Sequence, residues 1–490
     1  MRIGTNVAAI VANNALQKSQ NNLSTSIERL SSGYKINGSK DDAAGCAISE
    51  KMRAQIRGLS QAQNNTADGV SVLNTAEGAI TEIQSMLTRL KELSVQAAND
   101  VNSDDEREAI QKEIEQINNE IDRISDQTEF NTQSLINGNL SRRVYSDLQG
   151  VNQLSVSDSY TAGVYGITVT EDARQAIAVG AGSITMSSTA SITEEQAGAI
   201  NINGYKISIS EGDTLDKVMG KIIDGVNITG GSAFTVKDLN NDTAANGTDY
   251  AGYVPTADYA GSTLVIMTNQ YGSDQKMNIT CDNAELADIL GIPQAATQDG
   301  IYVEGSDVKA EIATGDDGKR IGFADSAILS TKGTVITVTD VNNKEFSMDV
   351  PGNAAGTVFD DSNNDGQSAA GAGTARTISQ EVTDVGTMSI HVGANENQVI
   401  VLDIPPITTY TIGTDNINVM TSYTSQLAIA SVDTAINYVN SVRSKIGAYE
   451  NRFEHTTNNL EVSEENVTKA LSAKIDTDMA EEMTEYTSQT

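Results

Sequence analysis

The chain has 490 residues and a formal net charge of −34, with 38% hydrophobic residues, 4% aromatic residues and no tryptophan. So acidic a surface repels phosphate backbones and anionic headgroups, which argues against nucleic acid and membranes as partners and fits a soluble, secreted protein. With few aromatics, the core must rest on Ile, Leu, Val and Ala, an alphabet suited to several thin helical seams.

No stretch is long enough to span a bilayer. The short apolar run Val7 to Ala12 is cut off by Asn13 and Asn14, which predicts no cleaved signal peptide and export by another route. Cys46 and Cys281, far apart in sequence, do not form a disulfide framework and read as small hydrophobes. His391 and His455 cannot make a zinc site without carboxylate ligands, and no cofactor is expected.

The first predicted element is a helix on which Ala9, Leu16, Leu23 and Leu30 recur at heptad spacing beside Ile27, with Gly33 as its stop. Gly33 to Gly45 then reads as an extended linker. Leu73, Ala76, Ile80, Ile83, Leu87, Leu90 and Ala97 form an apolar seam broken only by Ser94. A second seam follows at Ile110, Ile114, Ile117, Ile121 and Ile124. Between them lie the Asn99-Asp100 turn and the capping-box pair Ser103 and Glu106, so residues 70–125 predict two antiparallel helices.

From about residue 145 to 405 the composition shifts to Gly, Thr, Ser, Asn and Asp. Strands are predicted at Ile200 to Ser210, Thr263 to Thr268 and Val335 to Val350, the last a hairpin turning at Asn342 and Asn343. A final helical stripe runs through Ile429, Val432, Ile436, Val439, Ile446, Tyr449 and Phe453, continued by Leu460, Val467 and Leu471. The expected fold is α+β: a long antiparallel, coiled-coil-like helical bundle formed by both chain ends, with a β-rich inserted variable region.

Several stretches resemble one family. Glu28-Arg-Leu-Ser-Ser-Gly-Tyr-Lys-Ile-Asn37, Asp41-Asp-Ala-Ala-Gly45 and Ala47-Ile-Ser-Glu-Lys-Met-Arg53 resemble the N-terminal signature of bacterial flagellins. So do Asp68 to Val72, Thr75 to Ala79, Arg89 to Asn99, and Phe130-Asn131 with Leu135 and Gly138. Ile436 to Phe453 is similar to the family's C-terminal helix, and Met388 to Pro405 to the β-segment before it. Ile200 to Ile207, with Gly212, Asp213 and Leu215, resembles a motif shared by filament and hook-associated proteins. Flagellins usually continue past Met483 with a further apolar helix, so the expectation is that the last part of that helix is lacking.

The resemblance implies a structural subunit that polymerises into the flagellar filament for motility, extracellular, with itself as main partner. It implies an inner-core helix at 1–44, helical rod segments at 45–144 and 406–474, a variable insert at 145–405 and a shortened inner-core segment at 475–490. The assembly residues carried over are Leu16, Leu23, Ile27 and Leu30. Further implied partners are an export chaperone, the distal cap protein and, in animal hosts, Toll-like receptor 5, with contacts at Arg89, Glu92, Leu93, Gln96 and Glu113. The alternatives are a hook–filament junction protein, a metalloprotease insert and a calcium-binding adhesin. The second lacks any His-Glu-x-x-His helix. For the third, Asp361 to Gly366 opens like an EF-hand loop but has Ala372 at the position of the bidentate Glu, and reads as a solvated acidic turn.

Overall fold

In a computed structural model, the described residues are all except 1–6, 158–159, 181, 237–260, 293–299, 316–317, 341–343, 353, 356–358, 361–368, 371–374, 384 and 490. The helices among them, in chain order, are α1 (Val7–Ser32), α2 (Ala43–Ala97), α3 (Asp104–Gln127), α4 (Leu215–Ile228), α5 (Ala284–Ile289), α6 (Thr409–Ile412), α7 (Ser422–Ile475) and α8 (Met479–Gln489). The chain divides into two compact units. One comprises Met1–Asn74, Ser389–Leu402 and Ile446–Thr490; the other comprises Thr75–Met388 and Asp403–Lys445.

In the second unit, the predicted seams become the core. Leu90, Leu93 and Ala97 of α2 bury against Ile110 and Ile114 of α3 and against Ile417, Val419, Ala428 and Val432. Ser94, which interrupts the seam, is buried too, because its hydroxyl donates to the Leu90 carbonyl at 2.8 Å and so carries no unpaired polar group into the core. The Ser103–Glu106 capping box forms in both directions and starts α3 where expected. Helices α2 and α7 run antiparallel here: Glu77 pairs with Arg443, Gln84 with Asn440 and Lys91 with Asp433, numbers rising on one helix as they fall on the other.

Among the described residues, the β-rich part of this unit has two large cores and a small one of Val179, Phe234, Val265 and Met267. One joins the antiparallel sheet Lys309–Ile312, Gly163–Glu171, Arg376–Val382, Val144–Ser146 to the sheet Ile328–Lys332, Val335–Thr339, Glu345–Asp349, Asn152–Val156. Between them Tyr160, Tyr165, Phe323 and Phe346 pack mostly edge to face, and burial pushes the Tyr160 phenol up to about 12. The other core joins the sheets Ile301–Glu304, Lys276–Cys281, Gly198–Ile202, Tyr205–Ile209 and Ile177–Val179, Thr263–Thr268, Gly231–Val236 to α4 and α5. Cys281 is buried in this core and Cys46 is half-buried in the other unit; both are free thiols.

Two expectations are corrected. Ile200 to Ser210 is a hairpin rather than one strand, because Asn203 (φ 49°) and Gly204 (φ 89°) form a tight turn between Gly198–Ile202 and Tyr205–Ile209. The insert also contains α4 and α5, which strand-based reading missed. The signal for α4 was present in Thr214, whose hydroxyl caps the helix, and in the helical spacing of Leu215, Val218, Met219, Ile222 and Val226. Just before it, the Asp213 carboxylate accepts from the Ser210 amide, Lys217 and Lys221, and hydrogen bonding to Lys217 and then Lys221 holds it well below the usual carboxylate range. Thr263–Thr268 is a strand as predicted, and the strands at 335–339 and 345–349 pair as a hairpin. Its turn at Asn342 and Asn343, like the acidic loop Asp361 to Gly366, lies outside the described residues.

In the first unit, Leu59 and Ala62 of α2 pack on Leu460 of α7, with Gln63 donating to Glu464 at 2.9 Å. Gly69 is needed for space: a Cβ there would lie 2.7 Å from Ile390 Cδ1 and 3.0 Å from Phe453 Cζ. In the second unit, Gly78 has nothing within 4 Å. Helix-interior glycine costs about 1 kcal/mol relative to alanine. Gly78→Ala is therefore expected to stabilise by up to about that amount, and Gly69→Ala to destabilise by about 1–3 kcal/mol through overpacking. Urea denaturation followed by far-ultraviolet circular dichroism tests the opposite signs.

Candidate functional site

The residues expected to serve assembly, Leu16, Leu23, Ile27 and Leu30, all lie on α1, which packs against α8. Gly33 (φ 76°) ends α1 with its amide donating to the Arg29 carbonyl at 2.8 Å. Asp41 accepts from the Asn37 and Gly38 amides, and Asp42 caps the start of α2 through the Gly45 amide at 2.9 Å. The segment predicted as a plain linker is thus a folded bend. It meets the far end of the chain: the Lys35 amide donates to the Ile475 carbonyl and the Thr477 amide to the Gly33 carbonyl. Beyond it, Arg29 reaches Glu482 of α8 at 3.5 Å, and the Ser19 hydroxyl donates to the Gln489 carbonyl at 3.4 Å.

Helix α1 has 26 residues and α8 has 11. Leu23 and Leu30 are half-buried, whereas Leu16 is 59% exposed, Ile27 49% and Val11 61%. The pairing of the two chain ends expected from the sequence is met here: α8 packs on α1, with Glu482 rather than Met479 or Met483 buried.

The second predicted set lies on α2 and α3. Arg89 donates through Nε and Nη2 to Glu113 Oε1 at 3.0 and 2.8 Å, and through Nη1 to Glu92 at 3.2 Å. Hydrogen bonds to Glu113 and then Glu92 raise its pKa further. Arg89, Glu92, Gln96 and Glu113 are exposed, so the structure brings four of the five to one surface. Leu93 is 1% exposed and belongs to the core beneath them.

His391 and His455 are both exposed, and no cluster of metal-ligating residues occurs among the described residues. No helix among the described residues is long and apolar enough to cross a membrane.

Residues 3–141 match the profile of the bacterial flagellin N-terminal helical region, and residues 429–490 that of the C-terminal helical region. The chain is 30% identical over 498 residues to the flagellin of Salmonella typhimurium, covering 98% of this chain and 93% of that protein. The chain belongs to the flagellin family. Polar flagellin A of Vibrio parahaemolyticus is 28% identical over 488 residues, covering 99% of this flagellin and 92% of the relative. Among solved structures, the junction protein FlgL of Legionella pneumophila covers 88% of this flagellin and all of its own chain, at 13% identity and a TM-score of 0.26. As a flagellin, the chain is a structural subunit of the bacterial filament, extracellular and serving motility, and it is not an enzyme. The resemblance seen in the signatures at 28–53 and 89–99 falls inside the matched N-terminal region.

Proposed function

We propose that this flagellin polymerises by laying the uncovered apolar side of α1 against neighbouring copies. The observation that carries this reading is the exposure of Val11, Leu16 and Ile27 along one helix. An apolar seam left open in one copy is closed by a head-to-tail contact, and a head-to-tail contact that does not close into a ring grows a helix. In this arrangement residues 1–44 and 475–490 lie innermost, 45–144 and 406–474 form the rod, and 145–405 faces outward. An export chaperone shields the C-terminal helix before assembly, and the distal cap protein places each arriving subunit.

Seeded polymerisation, read by light scattering and electron microscopy, tests this: filaments are expected to grow on flagellin seeds. Failure to elongate any seed would move the chain to a hook–filament junction role.

The same reading assigns Toll-like receptor 5 to the surface of Arg89, Glu92, Gln96 and Glu113, with Leu93 supporting it from below. Its support is the exposure of those four polar side chains, with Arg89, Glu92 and Gln96 inside the Arg89 to Asn99 stretch that resembles the family signature. Arg89→Ala removes a charged group that bridges two carboxylates on the surface. Receptor binding is expected to fall by about tenfold or more, with the melting temperature nearly unchanged because exposed ion pairs contribute little. Equal receptor binding by the variant would remove this surface from the assignment.

A further inference from the structure

A cleft of about 500 Å³ opens in the second unit. Its walls come from the turn between α2 and α3, the start of α3, the Asn203-Gly204 hairpin tip, the strands Lys276–Cys281 and Ile301–Glu304, and residues 420–426. That size is within the ~300–1,000 Å³ of small-ligand sites.

Three of its fifteen lining residues are tyrosines, Tyr205, Tyr302 and Tyr423, in a chain where aromatics make up 4% of residues. Met420 is the one aliphatic side chain among them, and most of the others are amides, hydroxyls and carboxylates. Two lining groups have unmet bonding capacity. Arg107 is 6% exposed and its Nη1 is buried without a hydrogen-bond partner among the described residues, while Nη2 donates to the Asn99 carbonyl at 3.1 Å. The Tyr423 hydroxyl is likewise buried and unpartnered. Burial pushes its phenol up, so it keeps its proton at neutral pH and can donate. Buried polar atoms are nearly always paired, and two unpaired ones on one cleft mark a place prepared for a polar ligand.

The charges decide which ligand. Arg107 faces Asp100 at 3.7 Å, and Lys276 pairs with Glu304 at 2.9 Å while lying 5.7 Å from the Tyr302 ring centre. Both cations of the cleft are thus matched by carboxylates, and the chain carries −34 overall, which disfavours phosphates and acidic ligands. A lipid or aliphatic ligand would find one methionine. What remains is a neutral molecule with flat C–H faces and many hydroxyls. From the juxtaposition of three tyrosines with unpaired, buried Arg107 and Tyr423 groups, we infer that this cleft binds a neutral saccharide of one or two rings. The rings stack on tyrosine faces, and their hydroxyls pair with the Arg107 guanidinium, the Tyr423 hydroxyl and the surrounding amides.

The test uses the full chain. Glucose, galactose, N-acetylglucosamine and their disaccharides are titrated by saturation-transfer NMR and calorimetry, with glucuronate as charged control, and the same disaccharides are displayed on beads. At least one neutral sugar is expected to bind. Retention on beads identifies surface glycans as a source, and binding of the free sugar alone identifies a soluble one; either supports the assignment. Tyr302→Ala, at a half-exposed ring, and Tyr423→Phe, which removes only the hydroxyl, are each expected to weaken binding about tenfold. Tyr423→Phe should melt at the same temperature or higher, since it deletes an unpaired buried group. No sugar signal, tighter binding of glucuronate than of the neutral sugars, or unchanged affinity in both variants would overturn the inference.

Discussion

A double variant, Leu16→Asp with Ile27→Asp, is expected to form no filaments while melting like the parent chain. The two side chains are 59% and 49% exposed in the single copy, so the folded monomer does not depend on burying them. In a filament the same side chains would be covered by neighbours. Covering a Leu or Ile side chain is favourable by about 1.5–3 kcal/mol, whereas burying an unpaired carboxylate is strongly unfavourable. The difference is repeated at every subunit added, so the effect on polymer length is far larger than on any one contact. Leu16→Met, which keeps the apolar volume, should still assemble. Filaments of ordinary length from the double aspartate variant would show that α1 is not the assembly surface.

Leu90→Ala is expected to cost the helical part of the second unit about 2–5 kcal/mol. Leu90 is fully buried where α2, α3 and the segment 417–432 converge. Truncating it removes contacts from all three at once, and two long helices cannot easily collapse into the space. The loss should appear as a lower denaturation midpoint in far-ultraviolet circular dichroism. Near-ultraviolet signals from the cluster of Tyr160, Tyr165, Phe323 and Phe346 should change much less, because that cluster belongs to a separate core. An unchanged helical midpoint would mean that the seam is not what holds these helices together.

The seam illustrates how much of the fold was legible in the sequence. Leu73 to Ala97 and Ile110 to Ile124 announce two helices by spacing alone, and the Ser103–Glu106 pair marks the start of the second. These are local signals, carried within one or two turns of chain. The Thr263–Thr268 strand and the 335–339 and 345–349 hairpin are legible for the same reason. Where two local patterns compete, the reading slips: Ile200 to Ser210 alternates like one strand, but the Asn203-Gly204 turn folds it back on itself.

Burial and long-range neighbours are another matter. Arg89 and Leu93 sit one helical turn apart and the resemblance implies a receptor contact for both, yet Arg89 bridges Glu92 and Glu113 in solvent while Leu93 is sealed in the core. The docking of α8 on α1 joins Arg29 to Glu482, and the tyrosine-lined cleft gathers Arg107, Tyr205, Tyr302 and Tyr423. By itself, the sequence determined the helical seams and their caps, because each is written in spacings of three, four or seven residues, and its signature stretches carried the resemblance to the family. Only the tertiary structure decided which apolar faces stay open on α1 and which distant side chains share a cleft, because those depend on contacts between segments hundreds of residues apart, which no local periodicity encodes.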